Sequence, residues 1–199
     1  MTMRILHISD THNLHKDLRD LPEADVIVHS GDMSLASTEN ELFDFINWFC
    51  DLPYKYKIFI AGNHDNLLFD SNIDGLDENV YFLQNSGVTI DGVKFYGVPM
   101  FMEYDITGED KRVIAAIPSD TDVLITHQPP KGILDLDDDI HYGSEQLLKK
   151  VLEIKPKLHL FGHIHCANGI VRQHDIVFSN GSISTHRYGL TFKPRVIEI

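Results

Sequence analysis

The sequence predicts an α/β (α+β) domain in which apolar strands deliver polar clusters to a common edge. Two observations carry that expectation. Short β-rich runs alternate with helical or loop segments through the first 80 residues. The first three runs end in Asp10-Thr11-His12-Asn13, Ser30-Gly31-Asp32 and Gly62-Asn63-His64-Asp65. Past residue 80 the tempo changes to closely spaced strands, with Asp91-Gly92 as a hairpin signal, which implies a second sheet in the same domain.

Taken in order, residues 4–9 form the first strand, and 14–23 a short, poorly patterned helix ended by Pro22. Residues 24–29 form the second strand. His29 falls inside it and is expected to be a hydrogen-bonded core histidine. Thr38 and Glu41 match a capping box, and Leu42, Phe43, Phe45, Ile46 and Phe49 keep helical spacing up to the stop at Pro53. That aromatic stripe, with Trp48, is expected in the core. Residues 56–60 form the third strand, and 66–79 a loop with a short helix. Residues 80–83, 88–90 and 93–97 are short strands, and 105–117 a polar loop with a weak helix. The strand 123–126 presents His127. The acidic stretch 134–139 is expected to be a solvated loop; the Gly and terminal Glu of a calcium loop are missing. Ser144 caps a helix through Ile154, and the strand 158–161 delivers Gly162-His163-Ile164-His165. Closing strands are expected at 169–172, 175–179 and 190–199.

The 199 residues suit one domain, 1–199, with a substantial core. With 17 Lys+Arg against 30 Asp+Glu the formal charge is −13, which excludes a general nucleic-acid or anionic-membrane surface. An anionic substrate would need a local source of positive charge. Two cysteines, Cys50 and Cys166, make no disulfide framework, and the N-terminus runs straight into a strand. A cytoplasmic location without a membrane span is therefore expected.

Eight polar residues follow apolar strands: Asp10, His12, Asp32, Asn63, His64, His127, His163 and His165. Each cluster alone is also compatible with a capping turn. Together they place carboxylates, imidazoles and an amide where open α/β sheets bind ligands. On an extended strand end, Asp10 and His12, like His163 and His165, would point the same way. The donor set suits Mn, Fe or Zn, and seven ligands exceed what one tetrahedral zinc takes. Two ions about 3.5–4 Å apart, bridged by one carboxylate, would use them.

Asp10-x-His12, Gly31-Asp32, Gly62-Asn63-His64-Asp65, His127 and Gly162-His163-x-His165 resemble, in order and spacing, the five motifs of the calcineurin-like metallophosphoesterases. Thr126-His127-x-Pro129-Pro130 further resembles the metallophosphoesterase-domain, cyclic-nucleotide-phosphodiesterase-like subgroup. The resemblance implies a metallophosphatase fold, a four-layer sandwich of two mixed β-sheets flanked by helices. It implies that Asp10, His12 and His165 hold one divalent ion, that Asn63, His127 and His163 hold a second, and that Asp32 bridges them. His64 would face the substrate as a proton donor, with Asp65 orienting it. The implied reaction is hydrolysis of a small phosphodiester or cyclic nucleotide by a hydroxide that the two ions generate, with Mn the expected metal in vitro. A phosphomonoesterase or protein phosphatase would use the same centre, and a metal-binding scaffold is the non-enzymatic alternative. Asn13, His141, His186 and Arg187 are candidate substrate contacts or plain surface. Cys166 is a packed residue or an oxidation-sensitive one.

Overall fold

In the computed structural model residues 2–185 and 187–199 are described, apart from the side chain of Asp105. One sheet contains β1 (Arg4–Ile8), β2 (Val26–His29), β3 (Tyr56–Phe59) and β4 (Val80–Phe82), all parallel. It is closed on the β1 side by antiparallel β13 (Arg195–Glu198). The other contains β5 (Ser86–Ile90), β6 (Val93–Val98), β7 (Val123–Thr126), β10 (Leu158–Phe161), β11 (Gly169–Gln173) and β12 (Ile176–Asn180). Its order is β11-β12-β10-β7-β6-β5, with parallel pairs in the middle and antiparallel hairpins at both edges. A third, two-stranded ribbon pairs β8 (Leu136–Asp137) with β9 (Ile140–His141).

Strand alternation explains the layering. Ile5, Val26, Val28, Ile58 and Ile60 share one buried cluster with Phe95, Val123, Ile125, Leu158 and Leu160, which fills the space between the sheets. Their neighbours Leu6, Ile8, Ile27, Phe59, Leu124 and Phe161 point the other way, towards the helices. Helix α1 (Glu39–Asp51) buries Leu42, Phe45, Ile46 and Phe49, one face at i, i+3, i+4 and i+7. The rings of Phe45 and Phe49 meet Phe59 at 6.1 and 5.7 Å. On the second sheet, α4 (Glu145–Ile154) buries Leu147, Val151 and Ile154. The expected sandwich of two mixed sheets flanked by helices is what the chain forms.

Both helix caps are as expected. Thr38 and Glu41 complete a capping box, and Ser144 accepts from the Leu147 amide. Other expectations are corrected. Residues 14–23 hold only a 3-10 turn, His15–Asp17, because the stretch offers no continuous apolar face, whereas 66–79 is, as expected, a loop with a short helix, the 3-10 turn Asn66–Leu68. In place of one weak helix within 105–117 there are two short helices, α2 (Met102–Thr107) and α3 (Asp110–Ala115), parted at Gly108 with φ 72. Of residues 190–199 only Arg195–Glu198 pair as a strand. The acidic stretch is not simply solvated. Asp135 is fully buried, accepting from Gly132 N at 2.9 Å, Gly143 N at 3.0 Å and His141 Nδ1 at 2.6 Å, so it staples the β8–β9 ribbon. Among the described residues no helix is long and apolar enough to cross a membrane.

Candidate metal centre

The carboxyl ends of β1, β2 and β3 in one sheet and of β7 and β10 in the other open onto a shared site. Asp10 and His12 do not converge by the extended i, i+2 geometry expected of them. The strand stops at Ile8, and Asp10, His12 and Asn13 take left-handed conformations with φ of 56, 41 and 68. Asp32 and His163 do the same at φ 57 and 70. Such conformations cost about 1–3 kcal/mol each and persist only where the surroundings impose them. Here the Asp10, His12 and Asn13 amides donate to the carbonyls of Gly31, Asp32 and Met33 at 2.9, 3.1 and 3.0 Å. Gly162 N donates to the His127 carbonyl at 3.1 Å. Neighbouring loops are thus laced pairwise. Glycine is required at two of these turns: a Cβ on Gly62 would collide with the Asp32 carboxylate, and one on Gly162 with Ser9 Oγ and the Asp10 carboxylate.

The eight strand-end residues meet. Asp10 Oδ1 lies 3.3 Å from His165 Nε2, which is itself 3.3 Å from His12 Nε2. Asp32 Oδ2 lies 3.3 Å from His127 Nε2 and 3.8 Å from His12 Nε2. Asn63 Oδ1 is 3.1 Å from His127 Nε2. Ligand-capable atoms of Asp10, His12 and His165 lie within 4.8 Å of one another, as do those of Asp32, His127 and His163. A third such group is His12, Asp32 and His64, so His64 borders the centre more closely than a purely substrate-facing position requires.

The tautomers decide what this cluster can hold. His12 Nδ1 faces the Ser34 carbonyl at 3.1 Å, and His127 Nδ1 the Ser30 carbonyl at 2.8 Å. A carbonyl only accepts, so each Nδ1 carries the proton and each Nε2 offers a lone pair. Those lone pairs face the oxygens of Asp32 and Asn63. Such contact needs positive charge between the atoms: a metal ion, or in its place a second proton on the ring. The titration of the groups says the same. Burial pulls His127 down, yet the Asp32 and Asp10 carboxylates outweigh it and lift the ring to about 9. Burial, then the charge of His127, pushes His163 down to about 4. Asp10 and Asp32 stay below the usual carboxylate range although burial opposes it, through His165 and His127 respectively. The residues therefore fit divalent ions.

Asp65 and His64 have separate tasks. The Asp65 carboxylate is buried and accepts from Gly62 N at 2.9 Å, Met33 N at 3.2 Å, Ser34 N at 2.9 Å and Ser34 Oγ at 2.8 Å. Burial and the nearby Asp32 charge push it up to about 6. It clamps the loops after β2 and β3 and, contrary to expectation, does not orient the His64 imidazole. That ring is oriented by the Leu35 carbonyl, 2.8 Å from Nδ1, and its centroid lies 4.8 Å from that of His12.

The other expected contacts sit around this centre. The Asn13 amide donates to Glu41, the capping-box residue, so that donor serves the helix cap. His141 is tied to Asp135, and Arg187 is exposed. His186 lies outside the described residues. Burial and then Asp137 push the Cys166 thiol up to about 11, which disfavours the reactive thiolate. His29 is fully buried. It accepts from Gly31 N at 3.3 Å, so its Nε2–H faces Thr11 Oγ1 at 3.0 Å, as befits a core histidine. Sequence reasoning misses one neighbour: the ring of Tyr188 lies 4.8 Å from that of His12. Tyr188 belongs to no strand-end motif, so no local signal marks it.

Two mixed sheets sharing an edge of carboxylates, imidazoles and an amide define a metallophosphatase-type protein. Residues 3–167 match the calcineurin-like phosphoesterase family, and the chain belongs to that family. A Caenorhabditis elegans UPF0046 protein is 36% identical, over 90% of this chain and 69% of that protein. Human metallophosphoesterase domain-containing protein 1 is 32% identical, over 98% of this chain and 71% of that protein. Among solved structures, TT1561 of Thermus thermophilus has a TM-score of 0.56 at 13% identity, covering 90% of this chain and 89% of that one. A structure described as a novel archaeal phosphodiesterase has a TM-score of 0.52 at 16% identity, covering 99% of this chain and all of that one. These two likenesses concern the fold.

Proposed function

We propose that the chain is a dinuclear metal-dependent phosphoester hydrolase acting on small phosphodiesters, cyclic nucleotides included. The observation that carries this reading is the pair of acceptor triads, Asp10/His12/His165 and Asp32/His127/His163, set edge to edge with Asp32 Oδ2 facing histidines of both. Asp10, His12 and His165 would hold one ion, Asn63, His127 and His163 the other, and Asp32 both. Two divalent ions would supply the local positive charge that a chain of net charge −13 otherwise lacks, and acidify a water to near neutral pH.

The chain's own residues do the rest. The Ser30 and Ser34 carbonyls fix His127 and His12 as Nε2 donors of electron pairs. Asp65 holds the Gly62–Asp65 turn against Met33 and Ser34, which sets the position of Asn63 and His64. The Leu35 carbonyl holds the Nδ1–H of His64, so Nε2 is the nitrogen turned to the site, and the imidazolium, carrying a second proton on Nε2, would give that proton to a leaving alkoxide and keep the one on Nδ1.

The test is metal content and turnover. The purified protein should contain two transition-metal ions per chain and hydrolyse bis(p-nitrophenyl) phosphate faster than p-nitrophenyl phosphate. Exhaustive chelation should abolish both activities and Mn²⁺ restore them; full activity in the chelated protein would end the proposal. A faster monoesterase rate would move the substrate class to phosphomonoesters.

His64→Ala separates proton donation from metal binding. The variant should keep both ions yet lose about 10²–10⁴ in rate on alkyl esters, and less on p-nitrophenyl esters, whose leaving group needs little protonation. Equal losses on both ester types would make His64 a charge stabiliser. Loss of the ions would make it a ligand, the role its grouping with His12 and Asp32 allows.

A further inference from the structure

Tyr188 stands outside everything so far assigned to the site. The family match ends at residue 167, so the segment that carries this ring is not part of the matched region. The segment is well anchored. After β12 the chain runs beside the end of β1 through a parallel bridge between Ser9 and Ser182, with Ile183 N donating to the Ser9 carbonyl at 3.1 Å. Ser184 and Leu190 pair as an antiparallel bridge, Thr185 N donates to the Gly189 carbonyl at 3.0 Å, and Tyr188 N to the Thr185 carbonyl at 2.8 Å. A tip closed in this way holds Tyr188 at φ 53, a left-handed conformation that is an outlier for a bulky residue.

The constraint places a large ring over the ligands. Its centroid lies 4.8 Å from that of His12 and 6.3 Å from those of His64 and His165, steeply inclined to all three. The residue nonetheless remains 41% exposed. Exposed apolar side chains are ordinary on a protein surface; what sets this ring apart is its place against three histidines of the site. It leaves aromatic surface open beside both His12 and the proposed proton donor His64, next to where a substituent on phosphorus would lie.

We infer that Tyr188 is a specificity-determining residue that packs against an aromatic or heteroaromatic group esterified to the substrate phosphorus. The inference rests on the phosphoester reading for the phosphorus and on the Tyr188 geometry for the ring. Planar groups pack on tyrosine by offset or edge-to-face contact, a preference that alkyl groups do not share.

Calorimetric binding of phenylphosphonate and methylphosphonate to the Mn²⁺-loaded full chain tests it without turnover. The wild type should prefer phenylphosphonate. Tyr188→Ala should reduce that preference about 5- to 10-fold, with methylphosphonate affinity changing by no more than about twofold, and Tyr188→Phe should retain it. A Tyr188→Ala protein that keeps the phenyl preference, or loses affinity for both phosphonates equally, would overturn the inference, as would a wild type that prefers neither. A wild type that binds phenylphosphonate preferentially but hydrolyses no phosphoester would sink the enzymatic reading and leave this one standing.

Discussion

On the proposed dinuclear centre, Asp32→Asn should cost at least one of the two ions and about 10³-fold or more of the hydrolytic turnover. The substitution keeps the side chain's volume, and an amide oxygen can still accept from His64 N, which donates to Asp32 Oδ1 at 2.8 Å. What it removes is the charge 3.3 Å from His127 Nε2 and 3.8 Å from His12 Nε2. Loss of a residue that only supports a ligand typically costs about 10–100-fold. A carboxylate shared by two ions should cost more. The fold should survive, because the loops stay laced through the Asp10, His12 and Asn13 amides. Metal analysis with steady-state kinetics checks the prediction; two ions and normal turnover in the variant would remove Asp32 from the centre.

The chelated protein should lose much of its stability in mild acid. His7, His29 and His159 are buried beneath the ligand loops, and burial is the main cause that lowers each to about 3 from an ordinary value of 6.5. His163 is lowered to about 4. A histidine depressed in the folded state contributes stability that is complete above pH 6.5 and is lost as pH falls towards the folded value. Asp65, raised to about 6, works the other way between pH 6 and its ordinary 3.8. Four protons taken up on unfolding, less the one that Asp65 gives up, leave about three, or about 4 kcal/mol of stability lost per pH unit. Against a total of about 5–15 kcal/mol, two units at that slope remove about 8 kcal/mol, a large share of the stability. Urea denaturation at pH 7, 6 and 5 in the presence of chelator reads the slope. His159→Gln should flatten it by about one proton, since among the described residues His159 Nε2 meets Thr126 Oγ1, at 2.9 Å, and Nδ1 has no hydrogen-bond partner. A stability independent of pH between 7 and 5 would mean that these histidines are not buried neutral.

Much of this molecule is written in short-range pattern. The alternation of strands and connections, the Thr38–Glu41 and Ser144 caps and the apolar face of α1 all depend on spacings of two to four residues, which a sequence displays directly. The same holds for the polar residues at five strand ends, because where a strand stops is a local event. Stretches without periodicity are less legible: residues 14–23 hold a single 3-10 turn, and Asp135, within an acidic run, is buried.

Only the tertiary structure decided which atoms face each other. The sheet order sets β1, β2 and β3 opposite β7 and β10, so residues more than 150 positions apart, such as Asp10 and His165, come within 3.3 Å. Left-handed turns locked by neighbouring loops, rather than extended strand ends, aim Asp10, His12 and His163. The Ser30 and Ser34 carbonyls choose the tautomers of His127 and His12, and Leu35 rather than Asp65 orients His64. Tyr188 reaches His12 across 176 positions through the bridge between Ser9 and Ser182. The physical reason is common to all of these. A residue's type and local spacing determine what it can donate or bury, but a lone pair or an open ring face acquires meaning only from the groups that long-range packing brings against it.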